Sequence, residues 1–372
     1  MVRRLAFAAL VALMLAAPAL LAQNPASEPT RKPPISAKPW PEDEILIARR
    51  TEAQNRKLFQ NGPTLEFTLT SEFNLINAER TRNNAKQFPG VLAVDGQDIP
   101  VKLGSRGHLR LKSQTCDFVP IKVDLPRDQL AGTIFEGQTT LKLGTHCRGE
   151  RDSDQYVIRE YLAYKLANLV TPLSLRARLA RGTYVDARSK KKIATHSALF
   201  LEHENDLARR LGGRDVKLQH MVFSEFDKPA LTTMMMLEYM LGNTDYSIWT
   251  LHNVVIVQDK RRKFFPVPYD FDLSGMVHAP YAAPDPRLSL RSVTDRLYRG
   301  PCRTVEEFNA AAEPFRASQA DMMTAIDSVS ELNSVHKGEM KDYLAGFFRR
   351  IATPDAIKKT FVDGCPATRV RI

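Results

Sequence analysis

The amino-acid sequence predicts an α+β protein whose N-terminal half is rich in strands and whose C-terminal half is rich in helices. Two observations lead to this class. Between residues 64 and 143, apolar and polar side chains alternate in short runs, which is typical of half-buried strands. From residue 153 onward, apolar side chains recur at helical spacing, and most of residues 305–361 follow the same pattern. Roughly 350 residues of mature chain are enough for one large or two medium domains.

The individual elements follow from the same patterns. Strands are predicted at residues 65–69, 109–112, 121–123, 139–143, 182–185 and 193–201. A helix is predicted after residue 143, because Ser153 or Asp154 is a suitable N-cap and apolar side chains follow at 158, 162, 166 and 169. Residues 231–241 form a dense helical run, and residues 254–257 and 264–267 form a short hairpin.

The N-terminus has the three parts of a signal peptide. Arg3 and Arg4 supply the positive charge, residues 5–15 are almost all apolar, and small residues end at Ala22. The apolar run is short for a membrane span, although a retained anchor is the alternative interpretation. Beyond residue 22 no apolar stretch is long enough to cross a membrane. The protein is therefore expected to be exported, to the periplasm or the outside of the cell, without stable membrane insertion.

The chain divides into four predicted segments on composition. They are a signal peptide at 1–22, a Pro-rich linker at 23–41, a strand-rich N-terminal lobe at 42–203 and a helical C-terminal lobe at 204–372.

Charge and cysteine content add two expectations. The formal net charge is +11, but the basic residues are spread among acids and no nucleic-acid motif is present, so a nucleic-acid partner is not expected. Four cysteines in an exported chain indicate two disulfides with three possible pairings. We favour Cys116–Cys147 and Cys302–Cys365, since each bridge then stays within one half of the chain.

The polar residues between 245 and 272 carry the most chemical information. Asp245 follows a predicted helix, Asn253 begins the predicted hairpin, and Asp270 and Asp272 follow its second strand. Phosphoryl transfer needs one carboxylate that orients or deprotonates the attacking hydroxyl, and an Asn and an Asp that hold Mg²⁺ against the phosphates. A hairpin that carries Asn253 and Asp270 at its two ends would direct both oxygens to a single ion.

The order Asn-Thr-Asp at 243–245, His-Asn at 252–253 and Tyr-Asp-Phe-Asp at 269–272 resembles the spore coat protein H (CotH) kinase family. That family is similar in turn to other atypical proteins of the two-lobe protein-kinase-like fold. The resemblance implies ATP and Mg²⁺ as cofactors, with Asp245 as the catalytic aspartate. It assigns the metal to Asn253 and Asp270, and it matches Asp272 to an extra aspartate of the family.

The resemblance extends to the predicted N-terminal lobe. Lys142 and Glu160 lie 18 residues apart on a predicted strand and helix, as in the lysine–glutamate pair with which kinase-like proteins hold phosphates. Residues 198–202, which end in Glu202, resemble the strand that enters the hinge where adenine would bind. Arg106, in a Gly-Ser-Arg-Gly turn, would cap the phosphates. The sequence departs from the kinase pattern by the eight-residue interval between Asp245 and Asn253 and by the lack of a G-x-G-x-x-G loop before Lys142.

Structural interpretations of the same residues stay open at this point. Asp270 to Asp272 could form a turn with local hydrogen bonds, Lys142 could lie on a sheet edge, and Glu160 could lie on a solvated helix face. Three functions follow. The first is an ATP-dependent phosphotransferase acting on a hydroxyl of a protein or a small molecule. The second is a pseudokinase-like nucleotide-binding module without turnover. The third is an envelope-associated structural protein whose acidic loop binds a cation. The common hydrolase motifs are not found in the sequence.

Overall fold

A computed structural model describes residues 39–81, 86–150, 152–363 and 365. The predicted signal peptide (1–22) and residues 23–38 of the predicted linker lie outside the described residues, as does Arg151. The α+β class with a strand-rich N-terminal lobe and a helical C-terminal lobe is confirmed.

The N-terminal lobe is a sheet of seven strands that closes on itself. The strands are β1 (Leu65–Ser71), β2 (Phe88–Val94), β3 (Gln97–Ser105), β4 (Ile121–Asp124), β5 (Thr140–Gly144), β6 (Ala177–Asp186) and β7 (Lys192–Leu201). Their order is β1-β2-β3-β4-β5-β7-β6, and the parallel pairing of β1 with β6 closes the sheet while the other pairs are antiparallel. Inward side chains such as Phe67, Phe135 and Phe200 fill the interior.

Two predictions for this lobe need correction. Residues 109–112 do not form a strand, because the described chain forms a 3₁₀ turn there, Leu109–Leu111. The Leu-Arg-Leu-Lys alternation is misleading since Arg110 is buried with Leu111 instead of facing solvent. The strand predicted at 182–185 begins five residues earlier, at Ala177. The turn that joins it to β7 contains Lys190 in a left-handed conformation.

The helices are α1 (Asp43–Gln54), α2 (Phe73–Ala78), α3 (Ser153–Val170), α4 (Glu204–Arg210), α5 (Lys228–Leu241), α6 (Val305–Ala317), α7 (Gln319–Ser328), α8 (Ser334–Ile351) and α9 (Pro354–Ile357). The last is followed by a π-helical turn, Lys358–Val362. A second sheet, of order β10-β9-β8, joins β8 (Arg214–Asp215), β9 (Val254–Gln258) and β10 (Phe264–Pro268).

Helix α3 lies between β5 and β6 in the chain and packs against β6 and β7 on one side and the C-terminal helices on the other. Its residues Leu162 and Leu166 belong to the same apolar core as Phe315 and Phe347. The buried Arg159 donates to the Met276 carbonyl over 2.9 Å and pairs with Glu339 at 2.7 Å. The predicted helix at 231–241 lies within α5, and its methionines Met234, Met235, Met236 and Met240 are buried, as expected for core residues.

Both predicted disulfides are present. Cys116–Cys147 joins the loop after the 3₁₀ turn to the end of β5, and Cys302–Cys365 joins two segments of the C-terminal lobe. Two disulfides are consistent with an oxidising compartment. No helix in the described part of the chain is both long and apolar enough to span a membrane.

Removing the Cys116–Cys147 bridge should destabilise the fold without rearranging it. The bridge spans 31 residues, and closing a loop of this length in the unfolded chain accounts for roughly 3–4 kcal/mol of unfolding free energy. Urea unfolding of the Cys116→Ser/Cys147→Ser double variant should show a loss of this size. An unchanged midpoint and slope would contradict it.

Candidate active site

A cleft with a volume of about 460 Å³ lies between the closed sheet and the β9–β10 hairpin. Seven of the eight side chains predicted from the sequence line it: Arg106, Lys142, Glu160, Asp245, Asn253, Asp270 and Asp272. Glu202 is not among the lining residues. The structure therefore brings together residues that are up to 166 positions apart in the chain.

Asp245 reaches the cleft because helix α5 ends at a glycine. Gly242 adopts a left-handed conformation with φ of 64°, and a side chain there would collide with the Tyr343 hydroxyl. The chain then turns, and the Asn243 side chain accepts a hydrogen bond from the Asp245 amide at 3.1 Å. This turn directs Asp245 away from the helix and toward the hairpin.

The Asp245 carboxylate is held on both sides. Its Oδ1 lies 3.1 Å from His252 Nε2, and its Oδ2 accepts from Asn253 Nδ2 at 3.1 Å. The same Asn253 nitrogen also donates to the Asp245 carbonyl at 2.7 Å. About 39% of the Asp245 side chain stays exposed, so the carboxylate is fixed in direction and still accessible from the cleft.

The long interval between Asp245 and Asn253 folds as a small hairpin of its own. Ser247 and His252 exchange two backbone hydrogen bonds of 2.9 Å each. Ile248 is buried beneath the loop, whereas Trp249 is exposed at its tip. The additional residues therefore project away from the two ends, and Asp245 and Asn253 remain in hydrogen-bond contact.

Asn253 and Asp270 lie at the open end of the β9–β10 hairpin. Val254 is paired with Pro268, and the Tyr269 amide donates to the Asn253 carbonyl at 3.0 Å. Both Asn253 and Asp270 have left-handed backbones, with φ of 53° and 66°. Such conformations are unfavourable for side chains with a Cβ and occur often at functional sites. The Asp270 amide donates to the Tyr164 hydroxyl of α3 at 2.8 Å, which fixes the turn.

Asp272 and Glu160 are buried carboxyl groups close to Asp270. Burial, followed by the charge of Asp270, raises the pKa of Asp272 to about 7. Burial and the charges of Asp272 and Asp270 raise the pKa of Glu160 well above its ordinary value. The Tyr281 hydroxyl donates to Asp272 at 3.1 Å. Three carboxyl groups thus share one desolvated region, which favours the binding of a cation there.

Lys142 does not pair with Glu160 as the sequence suggested. Its ammonium group pairs with Glu204, at the start of α4, and lies 4.2 Å from the centre of the Tyr269 ring. Burial opposes the ionisation of Glu204, but the charge and the hydrogen bond of Lys142, a backbone hydrogen bond and the charge of His203 together outweigh burial and lower the pKa of Glu204 to about 2. Spacing along the chain could not identify this partner, because Glu204 is 62 residues away.

The Glu202 side chain is part of the structure and not of the cleft. It is fully buried, and its carboxylate accepts from Arg176 Nε and Arg210 Nη2, each at 3.0 Å. The Arg176 amide also donates to it at 3.0 Å. Ligand binding by this side chain, as predicted from the hinge position, is therefore wrong.

Arg106 lies in the turn after β3, half-buried and facing the cleft. Its amide donates to the Pro120 carbonyl at 3.0 Å. Among the described residues its guanidinium has neither an ion pair nor a hydrogen bond. The position is consistent with the predicted contact to an anionic ligand.

Arg110 is a cleft residue that the sequence did not indicate. It is only 8% exposed, and its Nη2 donates to the Thr145 carbonyl at 2.6 Å and to the His146 carbonyl at 3.1 Å. The charges of Asp272, Glu160 and Asp270 help to raise its pKa against the effect of burial. Its place within an apparent strand pattern concealed its burial from sequence analysis.

The cleft residues fit a magnesium ion in their chemistry. Asn253, Asp270 and Asp272 offer amide and carboxylate oxygens, which are the ligands that Mg²⁺ prefers. Burial and the neighbouring carboxylates raise the pKa values of Asp272 and Glu160, and a bound cation would favour their ionised forms. Within the described ranges, however, no three His, Cys, Asp or Glu side chains are grouped closely enough to form a metal site by themselves. The protein would therefore supply only a few of the ligands of the Mg²⁺ ion, as is usual for Mg²⁺ that is bound together with phosphates.

Behind Asp245 lies a second buried acid that sequence analysis missed, Glu238 of α5. It is 1% exposed, and its two oxygens have no hydrogen-bond partner among the described residues. Burial, with a smaller contribution from Asp245, raises the pKa of Glu238 to about 8. Glu238 is therefore largely protonated at neutral pH, which avoids a second full negative charge beneath the cleft.

One of three comparisons with known proteins finds a match. No protein-family model matches the chain, and no curated protein matches it either. One similar solved structure is the Helicobacter pylori proinflammatory kinase CtkA, with a TM-score of 0.35 and 12% sequence identity. That match covers 64% of this chain and 95% of the other.

Because the pKa of Glu238 is raised in the fold, the unfolding free energy of the protein should depend on pH. An acid with a pKa of 4.5 in the unfolded chain and about 8 in the fold destabilises the protein progressively as the pH rises between these values. Glu238→Gln should therefore gain stability relative to the wild type by roughly 3 kcal/mol between pH 5 and pH 8. Urea unfolding at several pH values measures this difference.

The matched control is Glu66→Gln, at an exposed position on β1. Its stability difference from the wild type should not change with pH. A constant difference for Glu238→Gln as well would show that Glu238 is ionised in the fold.

Proposed function

We propose that this protein is an exported atypical kinase of the CotH type, which uses ATP and Mg²⁺ to phosphorylate a hydroxyl group. The observation that carries the proposal is the convergence of Asp245, Asn253, Asp270 and Asp272 in one cleft with Lys142 and Arg106 on its opposite wall. Phosphoryl transfer depends mainly on positioning and on neutralising phosphate charge, and this cleft offers groups for both.

Asp245 would receive the acceptor. Its carboxylate is exposed to the cleft and held by His252 and Asn253, so it can orient a hydroxyl group by hydrogen bonding. As the oxygen of the acceptor forms its bond to the γ-phosphorus, the bond to the β–γ bridging oxygen breaks and ADP leaves. Asp245 accepts the hydroxyl proton and returns it to solvent.

Asn253, Asp270 and Asp272 would hold the metal with the nucleotide phosphates. A bound Mg²⁺ neutralises charge on the phosphate oxygens and keeps the transferred group in line with the acceptor. The left-handed backbones of Asn253 and Asp270, and the hydrogen bond from Asp270 to Tyr164, keep these ligands in place before the substrate arrives. Arg106 would contact the outer phosphates.

Export and the class of acceptor belong to the same proposal. The two disulfides support an oxidising compartment, and the predicted signal peptide at 1–22 would direct the chain there. The acceptor is a hydroxyl-bearing protein or small molecule of that compartment, and nucleic acid is not proposed as a partner. Because free ATP is scarce outside the cytoplasm, such an enzyme needs a dedicated supply of its donor.

Nucleotide binding should depend on Asp270. ATP and Mg²⁺ together should raise the melting temperature of residues 23–372 by a few degrees, since a ligand at 100 times its dissociation constant adds about 2.7 kcal/mol. Asp270→Asn should remove the joint shift. Asp259→Asn, at the closed end of the same hairpin, should keep it. A thermal-shift titration with each ligand alone and with both measures these effects.

The alternatives give different results in this titration. A shift with Mg²⁺ alone that ATP does not increase, lost in Asp270→Asn, would identify a cation-binding module and refute the kinase. No shift with any ligand would show that residues 245–272 serve only the structure.

Asp245→Asn should separate binding from transfer. The substituted amide keeps the shape of the side chain but cannot accept a proton, so ATP and Mg²⁺ should still bind while phosphate transfer falls by about 10²-fold or more. Transfer is measured with γ-labelled ATP and an envelope extract of the producing cell as the source of acceptor. Equal phosphate transfer by the wild type and by Asp245→Asn would exclude Asp245 as the base. If the wild type binds nucleotide but transfers no phosphate, the pseudokinase is favoured.

A further inference from the structure

Glu160 shares its surroundings with an arginine, Arg110, whereas the lysine that its position in the chain suggests is paired elsewhere. Glu160 and Arg110 line the cleft together, and both also line a second cavity of about 370 Å³. Arg110 lies 5.9 Å from the centre of the Tyr281 ring, and the Tyr281 hydroxyl contacts Asp272. Arg110 is thus the cation placed among the three carboxyl groups of the cleft.

The backbone holds Arg110 in this position. Its Nη2 donates to the carbonyls of Thr145 and His146, directly before Cys147. The Cys116–Cys147 disulfide and the hydrogen bond from the Phe118 amide to the Cys147 carbonyl, 3.1 Å, join the following loop to the same strand end. The guanidinium is therefore attached to the end of β5, the strand that carries Lys142.

Part of this guanidinium remains without a partner. Arg110 Nε makes no hydrogen bond, and Nη1 makes none with any of the described residues. A buried donor without an acceptor is costly, and an anion can accept from these remaining N–H groups. Charge-assisted hydrogen bonds from a guanidinium to phosphate oxygens are strong.

Lys142, in contrast, is already engaged. Its ammonium pairs with Glu204, and both side chains are mostly buried, with 21% and 13% exposure. Moving Lys142 to a phosphate would leave the Glu204 carboxylate unpaired in a desolvated site, which is strongly unfavourable. The Lys142–Glu204 pair therefore stabilises the wall of the cleft next to Tyr269.

We propose that Arg110, supported by Glu160, is the cation that binds the phosphates of the donor, and that Lys142 is a structural residue of the cleft wall. This inference rests on the proposed function and names a different phosphate ligand for it. Asp270 and Asp272 would hold the metal with the phosphates, and Arg110, close to Asp272, would balance part of the remaining negative charge.

Two substitutions distinguish the lysine from the arginine. Arg110→Lys keeps the charge but loses the Nε and Nη1 donors of the guanidinium, and should weaken binding of ATP with Mg²⁺ by about tenfold or more. Lys142→Met should change the affinity by less than about threefold while lowering the melting temperature, because it leaves Glu204 unpaired. Arg148→Lys is the matched control, since Arg148 lines the adjoining cavity and not the cleft. Isothermal titration calorimetry with ATP and with inorganic pyrophosphate, each with Mg²⁺, measures the affinities.

These measurements distinguish a failure of the Arg110 assignment from a failure of the kinase proposal. If the wild type binds pyrophosphate but not ATP, and the Arg110→Lys variant does not bind pyrophosphate, the phosphate site at Arg110 is confirmed and the assignment of ATP as the donor is wrong. If Lys142→Met abolishes binding of ATP while Arg110→Lys retains it, the assignment to Arg110 is overturned. If Arg110→Lys does not fold, the test depends on Lys142→Met. Loss of ATP binding by that folded variant would refute the proposal, and unchanged ATP binding would support it. Binding of neither ligand by the wild type overturns both proposals.

Discussion

The attachment of helix α3 to the C-terminal lobe is the interaction on which the cleft depends. Arg159 binds the Met276 carbonyl and Glu339, and Tyr164 accepts from the Asp270 amide. Both residues belong to one helix, which also carries Glu160 into the cleft. Because α3 contacts both the closed sheet and the C-terminal helices, it fixes the position of the Asp270–Asp272 turn relative to the sheet.

Electrostatic balance is the second constraint. The cleft concentrates Glu160, Asp270 and Asp272 in a desolvated region, which is unfavourable unless protons or cations compensate. Raised pKa values at Glu160 and Asp272 and the charge of Arg110 supply part of this compensation. A bound metal ion would add to it, so the same carboxyl groups favour the binding of a cation.

Local backbone strain is concentrated where the chemistry is proposed. Leu251, Asn253 and Asp270 have positive φ angles within 20 residues of one another. Each is held by contacts from outside its own turn, such as the Tyr164 hydroxyl at Asp270. Such positions are maintained only where the surrounding structure fixes them, which is consistent with a preorganised site.

The sequence by itself determined the α+β class, the β9–β10 hairpin and the grouping of Asp245, Asn253, Asp270 and Asp272, because periodicity and short spacing express local structure. It left three disulfide pairings open, and the structure contains the pairing that we favoured. Only the tertiary structure decided that Lys142 pairs with Glu204, that Glu202 is buried between Arg176 and Arg210, and that Arg110 enters the cleft. These outcomes depend on neighbours distant in the chain and on desolvation. An alternating pattern such as residues 109–112 cannot show whether its charged member meets solvent or buried carbonyl and carboxyl groups.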